Sequence, residues 1–166
     1  MNQGAPDIKT ADICDRFSSR VEVCAPIFTS YGAAAFNGPI STVEVYEDNV
    51  LDREGLEDLA AGAVLVVDGG GSGRCALLGG KLASIAASRD LKGVIVNGCV
   101  RDARELGGIE CGVLALATNP LRSKKEGTGR RDVPVSFGGV TWTPGRYVYA
   151  DDDGVVVARE MLHAAT

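Results

Sequence analysis

Histidine is nearly missing from this chain: among 166 residues, His163 is the only one. A Ser-His-Asp hydrolase needs an imidazole held between nucleophile and acid. The sole candidate stands in the C-terminal stretch His163–Thr166, expected to be loose, so that chemistry is set aside. The five cysteines, Cys14, Cys24, Cys75, Cys99 and Cys111, contain no C-x-x-C and no spacing that pairs them with His163. Neither a zinc centre nor a disulfide framework is indicated. Long apolar runs are also lacking, and no charged-then-apolar leader opens the chain. The expectation is a cytoplasmic protein without membrane contact, its unpaired thiols suited to a reducing compartment. An excess of positive charge is missing as well. At a formal net charge of −5, the chain is a poor partner for phosphate backbones, and no direct nucleic-acid binding is expected.

What is present is ordinary globular material, 45% hydrophobic and 23% charged, enough for one domain over 1–166 with its core at about 10–158. Met1 to Ile8 and His163 to Thr166 are expected to be loose tails. The pattern predicts a helix from Thr10 to Ser18 with Thr10 as N-cap, extended segments at Pro26–Phe28 and Gly38–Tyr46, and a short helix at Leu56–Ala61 with room to reach back past Gly55. Buried strands come next at Ala63–Val67, Gly93–Val96 and Val113–Ala117, with helices at Lys81–Arg89 and Arg101–Leu106 between them. Val133–Phe137 and Val140–Trp142 read as a hairpin around Gly138-Gly139. Arg146–Tyr149 and Val155–Val157 flank an Asp151-Asp152-Asp153-Gly154 turn, before a short terminal helix from Arg159. Buried strands alternating with helices, and hairpins toward both ends, indicate an α/β domain with mixed sheets.

Several motifs invite function. Gly71-Ser72-Gly73-Arg74-Cys75-Ala76 matches G-x-G-x-x-A, but Gly79-Gly80 interrupt the long helix that a dinucleotide or S-adenosylmethionine site requires. Gly80-Lys81 fails the phosphate-loop pattern, with Cys75 and Leu82 at the positions that need Gly and Ser or Thr. The acidic turn lacks the downstream Glu of a Ca²⁺ loop and reads as structural. Arg122, Ser123, Lys124, Lys125, Arg130 and Arg131 read as a solvated or subunit-contacting basic loop. Cys75 and Cys99 read as small buried apolar residues.

One constellation resists a structural reading. Gly79, Gly80, Lys81 and Leu82 open a helix, whose first N–H groups and partial positive charge suit a carboxylate. After one helix and one strand come Arg101-Asp102, then Glu105. Asp102 is a hard oxygen ligand for a divalent cation, and Arg101 a permanent charge where an enolate oxygen could develop.

This Gly80-x20-Arg101-Asp102-x2-Glu105 spacing resembles the signature of the RraA-like family, which includes the 4-hydroxy-4-methyl-2-oxoglutarate (HMG) aldolases, class II pyruvate aldolases. The resemblance continues through Val66–Ser72, Val96–Asp102, Phe137–Val140 and Tyr149–Val155, about Thr10 to Val157 in all. It implies a swivelling-domain β/β/α sandwich, a homotrimer sometimes paired into hexamers, and sites at subunit boundaries, with Glu160 and the acidic turn as candidates for reaching across. It also implies a metal-dependent carbon–carbon lyase using Mg²⁺ or Mn²⁺. The 2-oxo acid substrate would sit on Gly79, Gly80, Lys81, Leu82 and Arg101, with Arg101, Asp102 and Glu105 catalytic and Asp102 the metal ligand. The activities implied are HMG cleavage and oxaloacetate decarboxylation through a pyruvate enolate. In the family's best aldolases a carboxylate stands where this chain has Gly80, so decarboxylation, which needs no base for a C4 hydroxyl, is expected to be the better retained. Glu105 is expected to orient the ligands from beside the metal. The alternative function is that of the founding RraA proteins, a non-catalytic regulator binding an endoribonuclease or helicase of the RNA-degradation machinery. A demethylmenaquinone methyltransferase, a label sometimes attached to such sequences, would need a nucleoside pocket that the glycine-rich turn does not provide.

Overall fold

The computed structural model describes residues 8–163; the expected tails fall mostly outside them. In chain order the elements are α1 (Thr10–Phe17), β1 (Val21–Val23), β2 (Thr29–Ser30), β3 (Phe36–Glu44), α2 (Val50–Asp58), β4 (Val64–Asp68), β5 (Ala76–Leu78) and α3 (Gly80–Ser88). Then come β6 (Gly93–Val100), α4 (Ala103–Leu106), β7 (Gly112–Thr118), β8 (Arg130–Arg131), β9 (Val135–Phe137), β10 (Val140–Trp142), β11 (Tyr147–Asp151) and β12 (Gly154–Ala158).

A mixed sheet runs in the order β1-β12-β11-β3-β4-β6-β7-β2, with β5 on β6 and β8 on β3, while β9 and β10 pair separately. Strand β3 belongs to two halves. Its residues Phe36–Pro39 pair antiparallel with β11, and Ile40–Glu44 pair parallel with β4. Pro39, which has no N–H to give to a ladder, stands where the partner changes.

Alternation along the parallel strands sorts residues to two faces. Val64, Val66, Ile95 and Leu114 pack with Val148, Ala150, Val155 and Val157 of the antiparallel half. Leu65, Val67, Val94, Val96, Val113 and Ala115 pack under Leu56 of α2, Ala83 and Ala86 of α3, and Leu106 of α4. Outside the antiparallel half, Ile13 of α1 covers Tyr149, Val156 and Ala158. The result is the expected α/β architecture of sheet, sheet and helices, with α1 as an added outer piece.

Several boundaries differ from expectation for identifiable reasons. Thr10 is not the N-cap; Lys9 is, without a side-chain bond. The α1 terminus is capped from far along the chain by Asp151, which accepts from Thr10 N at 2.8 Å and Thr10 Oγ1 at 2.7 Å. Helix α2 does reach back past Gly55, as far as Val50, where Asp48 Oδ1 accepts the N–H of Val50 at 3.1 Å, an N-terminal signal of the ordinary kind, and it stops at Asp58, short of Ala61. Strand β2 begins just after the expected Pro26–Phe28, and β5 has no counterpart in the expected pattern. No helix forms after Arg159 among the described residues. There the Tyr149 hydroxyl accepts the N–H groups of Leu162 and His163 at 2.9 and 3.3 Å and meets His163 Nδ1 at 2.7 Å. His163 is therefore anchored, not frayed. Among the described residues no helix is long and apolar enough to cross a membrane.

Candidate active site

The site is made where β5 and β6, parallel neighbours, both run out. Leu78 O accepts from Arg101 N at 2.9 Å, so the turn into α3 and the turn into α4 lie side by side. Helix α3 starts at Gly80 with Gly79 as its cap. Gly79 has no side chain to cap with, and Asp102 does so from the neighbouring turn: its Oδ2 accepts from Gly80 N at 2.9 Å. To reach that position Asp102 adopts a left-handed backbone, φ 60° and ψ 42°, a conformation rare outside glycine, which Asp and Asn tolerate best. The expected helix from Arg101 accordingly begins only at Ala103.

Two glycines are required by close approach. A Cβ on Gly79 would lie 2.7 Å from Asp102 Oδ2 and 3.2 Å from Arg101 Cγ, and one on Gly80 would fall onto Glu105 Oε2. Glu105 thus fills the space of a side chain at position 80. The first turn of α3 still leaves the N–H groups of Lys81 and Leu82 without intrahelical acceptors.

Gly79, Lys81, Leu82, Arg101 and Asp102 line one cavity of about 530 Å³. Asp102 is exposed into it and Arg101 is half-buried. Gly80 and Glu105 are not among its lining residues and flank it at the start of α3. A Mg²⁺-like ion takes one or two carboxylates and keeps several waters. Asp102, with Oδ2 on Gly80 N–H and no protein hydrogen bond to Oδ1 among the described residues, fits that demand. No group of three or more His, Cys, Asp or Glu side chains suited to a metal occurs among the described residues, so a closed protein cage does not fit.

Sequence reasoning missed the other wall. Arg122, Ser123 and Lys125 line the same cavity together with Asn49, Val50 and Arg53 of the α2 region. The cationic side chains Arg122, Lys124 and Lys125 of the basic loop are exposed, while its backbone is stitched down. Ala76 N donates to Leu121 O at 2.8 Å and Lys124 N to Glu47 O at 2.9 Å. Asp48 Oδ2 accepts from Glu126 N and Gly127 N at 2.7 and 3.1 Å. Burial pushes the Asp48 carboxyl up, but the bonds from Val50, Glu126, Thr128 and Gly127 outweigh it and hold the group below its ordinary value. An aspartate two residues before α2 was the one signal that could have pointed here.

The glycine-rich turn after β4 is a different structure. Asn97 O accepts from Gly69 N and Gly71 N at 3.0 and 3.1 Å, and Glu47 Oε1 holds Ser72 Oγ at 2.7 Å and Arg74 Nε at 2.6 Å. The chain leaves this turn as the strand β5 rather than as a helix, so the G-x-G-x-x-A match has no helix N-terminus to offer a nucleotide. Cys75 and Cys99 are buried, and burial raises both thiols, which makes them poor nucleophiles. Glu160 is ion-paired with Arg20 and lines a separate cavity of about 550 Å³.

A two-sheet α/β sandwich with an Arg-Asp pair beside a glycine-capped helix start defines a recognisable class of proteins. The RraA-like family model (Aldolase/RraA) matches residues 10–157, and the chain belongs to that family. A Bacillus cereus relative provisionally named 4-hydroxy-4-methyl-2-oxoglutarate aldolase is 53% identical over 156 residues, 93% of this chain and 98% of that one. An Aromatoleum aromaticum relative with the same provisional name is 52% identical, over 94% and 99% of the two chains. Among solved structures, one described as an S-adenosylmethionine: 2-dimethylmenaquinone methyltransferase from Geobacillus kaustophilus is 57% identical, with a TM-score of 0.94 over 96% of this chain and 99% of that one. The RNA-processing inhibitor RraA from Thermus thermophilis is 44% identical, with a TM-score of 0.91 over 96% and 97%.

Proposed function

We propose that this protein is a divalent-cation-dependent carbon–carbon lyase of 2-oxo acids that cleaves 4-hydroxy-4-methyl-2-oxoglutarate to two molecules of pyruvate and also decarboxylates oxaloacetate. The observation that carries the reading is the placement of Arg101 and Asp102 on one cavity beside the start of α3. The provisional aldolase names of relatives at about half identity support it.

Asp102, through Oδ1, is the residue that would hold Mg²⁺ or Mn²⁺. When bound, such a cation supplies Lewis-acid polarisation of the 2-oxo group. The N–H groups of Lys81 and Leu82 receive the substrate carboxylate, aided by the partial charge of the helix start. Arg101 faces the C2 oxygen and neutralises the charge that develops there.

In the retro-aldol direction the C4 hydroxyl loses its proton, the C4–O bond becomes a carbonyl, and the C3–C4 bond breaks. Its electron pair forms the C2–C3 enolate, and protonation at C3 yields pyruvate. Glu105, standing in the space of the absent side chain at position 80, is the proposed acceptor of the hydroxyl proton through one water. Position 80 itself supplies no carboxylate, so decarboxylation is still proposed to be the better retained of the two reactions. Decarboxylation breaks C3–C4 with loss of CO₂ and needs no such acceptor. The test is a pair of assays, HMG cleavage and oxaloacetate decarboxylation, with Mg²⁺ present. Activity on neither substrate overturns the proposal.

The methyltransferase reading gains no support from the glycine-rich turn, which leads into a strand. The regulator reading is not favoured: likeness to an RNA-processing inhibitor extends over the whole chain and so does not discriminate, whereas the chain retains both Arg101 and Asp102. A ribonuclease pull-down, with and without Mg²⁺ and oxalate, separates the two. Assembly as a trimer or hexamer belongs to the proposal too, and sedimentation measures it.

A further inference from the structure

Arg101 is the group that meets the charge developing on the C2 oxygen, so whatever orients its guanidinium bears on the rate. A carboxylate partner would hold the guanidinium firmly but would also cancel the charge it has to offer. Among the described residues no ion pair includes Arg101. A neutral acceptor holds it instead. Its Nη1 donates to Pro120 O at 3.4 Å, a contact that gives direction and leaves the full positive charge available.

That carbonyl has little of its own to fix it. Strand β7 ends at Thr118, Pro120 has no N–H to tie itself down with, and the next residue, Leu121, is 62% exposed. Asn119 supplies the bonds instead, on three sides. Its backbone N donates at 3.0 Å to the O of Val100, the residue before Arg101. Its Oδ1 accepts from Leu121 N at 2.9 Å, an Asx turn closed over Pro120. Its Nδ2 donates to Gly73 O at 2.7 Å, which ties the same turn to the glycine-rich turn ahead of β5. Every polar group that Asn119 can use to clamp this turn is engaged.

We infer that Asn119 is a positioning residue for Arg101: by clamping the turn around Pro120 it sets the carbonyl that aims the guanidinium at the C2 oxygen. The inference rests on the lyase reading for what Arg101 does. Asn119 is not among the residues that line the cavity, so its effect reaches the substrate through Arg101. A guanidinium displaced by about an ångström keeps its charge but meets the developing oxyanion at the wrong angle, and misplacement on that scale can cost about 10²-fold in rate. Because the charge it answers forms only in the transition state, the loss falls on kcat and spares KM.

The test is a double-mutant cycle on the full chain: Asn119→Ala and Asn119→Ser, each with and without Arg101→Ala. The readouts are the kinetics of both reactions in Mg²⁺ and calorimetric titration with oxalate, a planar dianion that resembles the enolate. Asn119→Ala should lower kcat for both reactions by about 10- to 100-fold with KM within about twofold, and should weaken oxalate by about tenfold. Asn119→Ser, whose hydroxyl can still accept from Leu121 N, should recover part of the loss, and it carries the same comparison if the alanine variant does not fold. In the Arg101→Ala background Asn119→Ala should change nothing beyond about twofold, because the group it aims is gone. A loss confined to KM, or the same fold-loss with and without Arg101, overturns the positioning role. If the native protein cleaves neither HMG nor oxaloacetate and Asn119→Ala still weakens oxalate only where Arg101 is present, the lyase reading falls and the positioning role stands. Cleavage by the native protein with Asn119→Ala at native rates sinks the positioning role alone.

Discussion

Two glycine-rich turns, Gly69–Gly73 and Gly79–Gly80, stand within a dozen residues of each other, each directly after a strand and each beside a cavity, and only the second leaves helix N–H groups unused there. In the first, backbone donors are consumed by Asn97 O and Asp68 Oδ1, and the side chains of Ser72 and Arg74 by Glu47. In the second, Asp102 takes a single N–H of a nine-residue helix and leaves the rest of the first turn free, beside the half-buried Arg101 guanidinium, which donates to Pro120 O at 3.4 Å and meets no carboxylate among the described residues. Glycine content announces that the backbone must bend or approach closely. Whether ligand chemistry results depends on what the protein has left unsatisfied.

The sharpest way to break this comparison is to exchange the charged groups packed against each turn. Asp102→Asn and Arg101→Ala should each lower kcat/KM by roughly 10²–10³-fold or more, whereas Glu47→Gln, at the residue that holds the self-satisfied turn from the β3–α2 connection, should leave it unchanged. An equal loss in Glu47→Gln would show that the first turn also takes part. Next in size is the Gly80 and Glu105 pair. Gly80→Ala drives a methyl into the place of Glu105 Oε2, and Glu105→Gln removes the proposed proton acceptor. Either should reduce HMG cleavage by about 10- to 100-fold and oxaloacetate decarboxylation by much less. A parallel loss of both reactions would assign Glu105 a merely structural part. Within the first turn, Gly71 has φ 74° while a Cβ on Gly73 meets nothing within 4 Å. Gly71→Ala should cost about 1 kcal/mol in urea unfolding, and Gly73→Ala close to nothing.

The smallest effect concerns the carboxyls under the basic loop. Asp52 is 1% exposed, and neither of its oxygens has a hydrogen-bond partner in the described structure. Burial first, and the charge of Asp48 second, raise it well above its ordinary value. A raised value in the fold means that the stability it contributes is complete below the ordinary carboxyl range and is lost as pH rises toward the folded value. Asp48 works the other way, contributing above its ordinary value and losing that contribution as pH falls. Asp52→Asn should therefore flatten the decline of stability that begins as pH rises out of the ordinary carboxyl range, and leave the dependence below that range alone, as thermal melts across pH would report.

The parallel core was legible because Ala63–Val67, Gly93–Val96 and Val113–Ala117 are continuous apolar runs bounded by turn residues, a local pattern that survives any packing. The hairpin at Gly138-Gly139 was legible for the same reason: both glycines take positive φ, at 63° and 74°. The terminal helix expected from Arg159 does not form, since the donors of Leu162 and His163 go to Tyr149, a residue outside any local window. Arg122 and Lys125 carry no motif at all.

The residues themselves determined the alternation that builds two packed sheets and a helical layer, and the pairing of Arg101 with Asp102 next to a helix that starts with two glycines. Only the folded chain decided that Glu105 fills the space of a side chain at position 80, that Asp151 caps a helix 141 residues before it in sequence, and that a basic loop closes the far wall of the cavity. Periodicity and turn chemistry act over a few residues and can be read along a line, whereas close approach and charge balance are properties of space, fixed once distant segments share it.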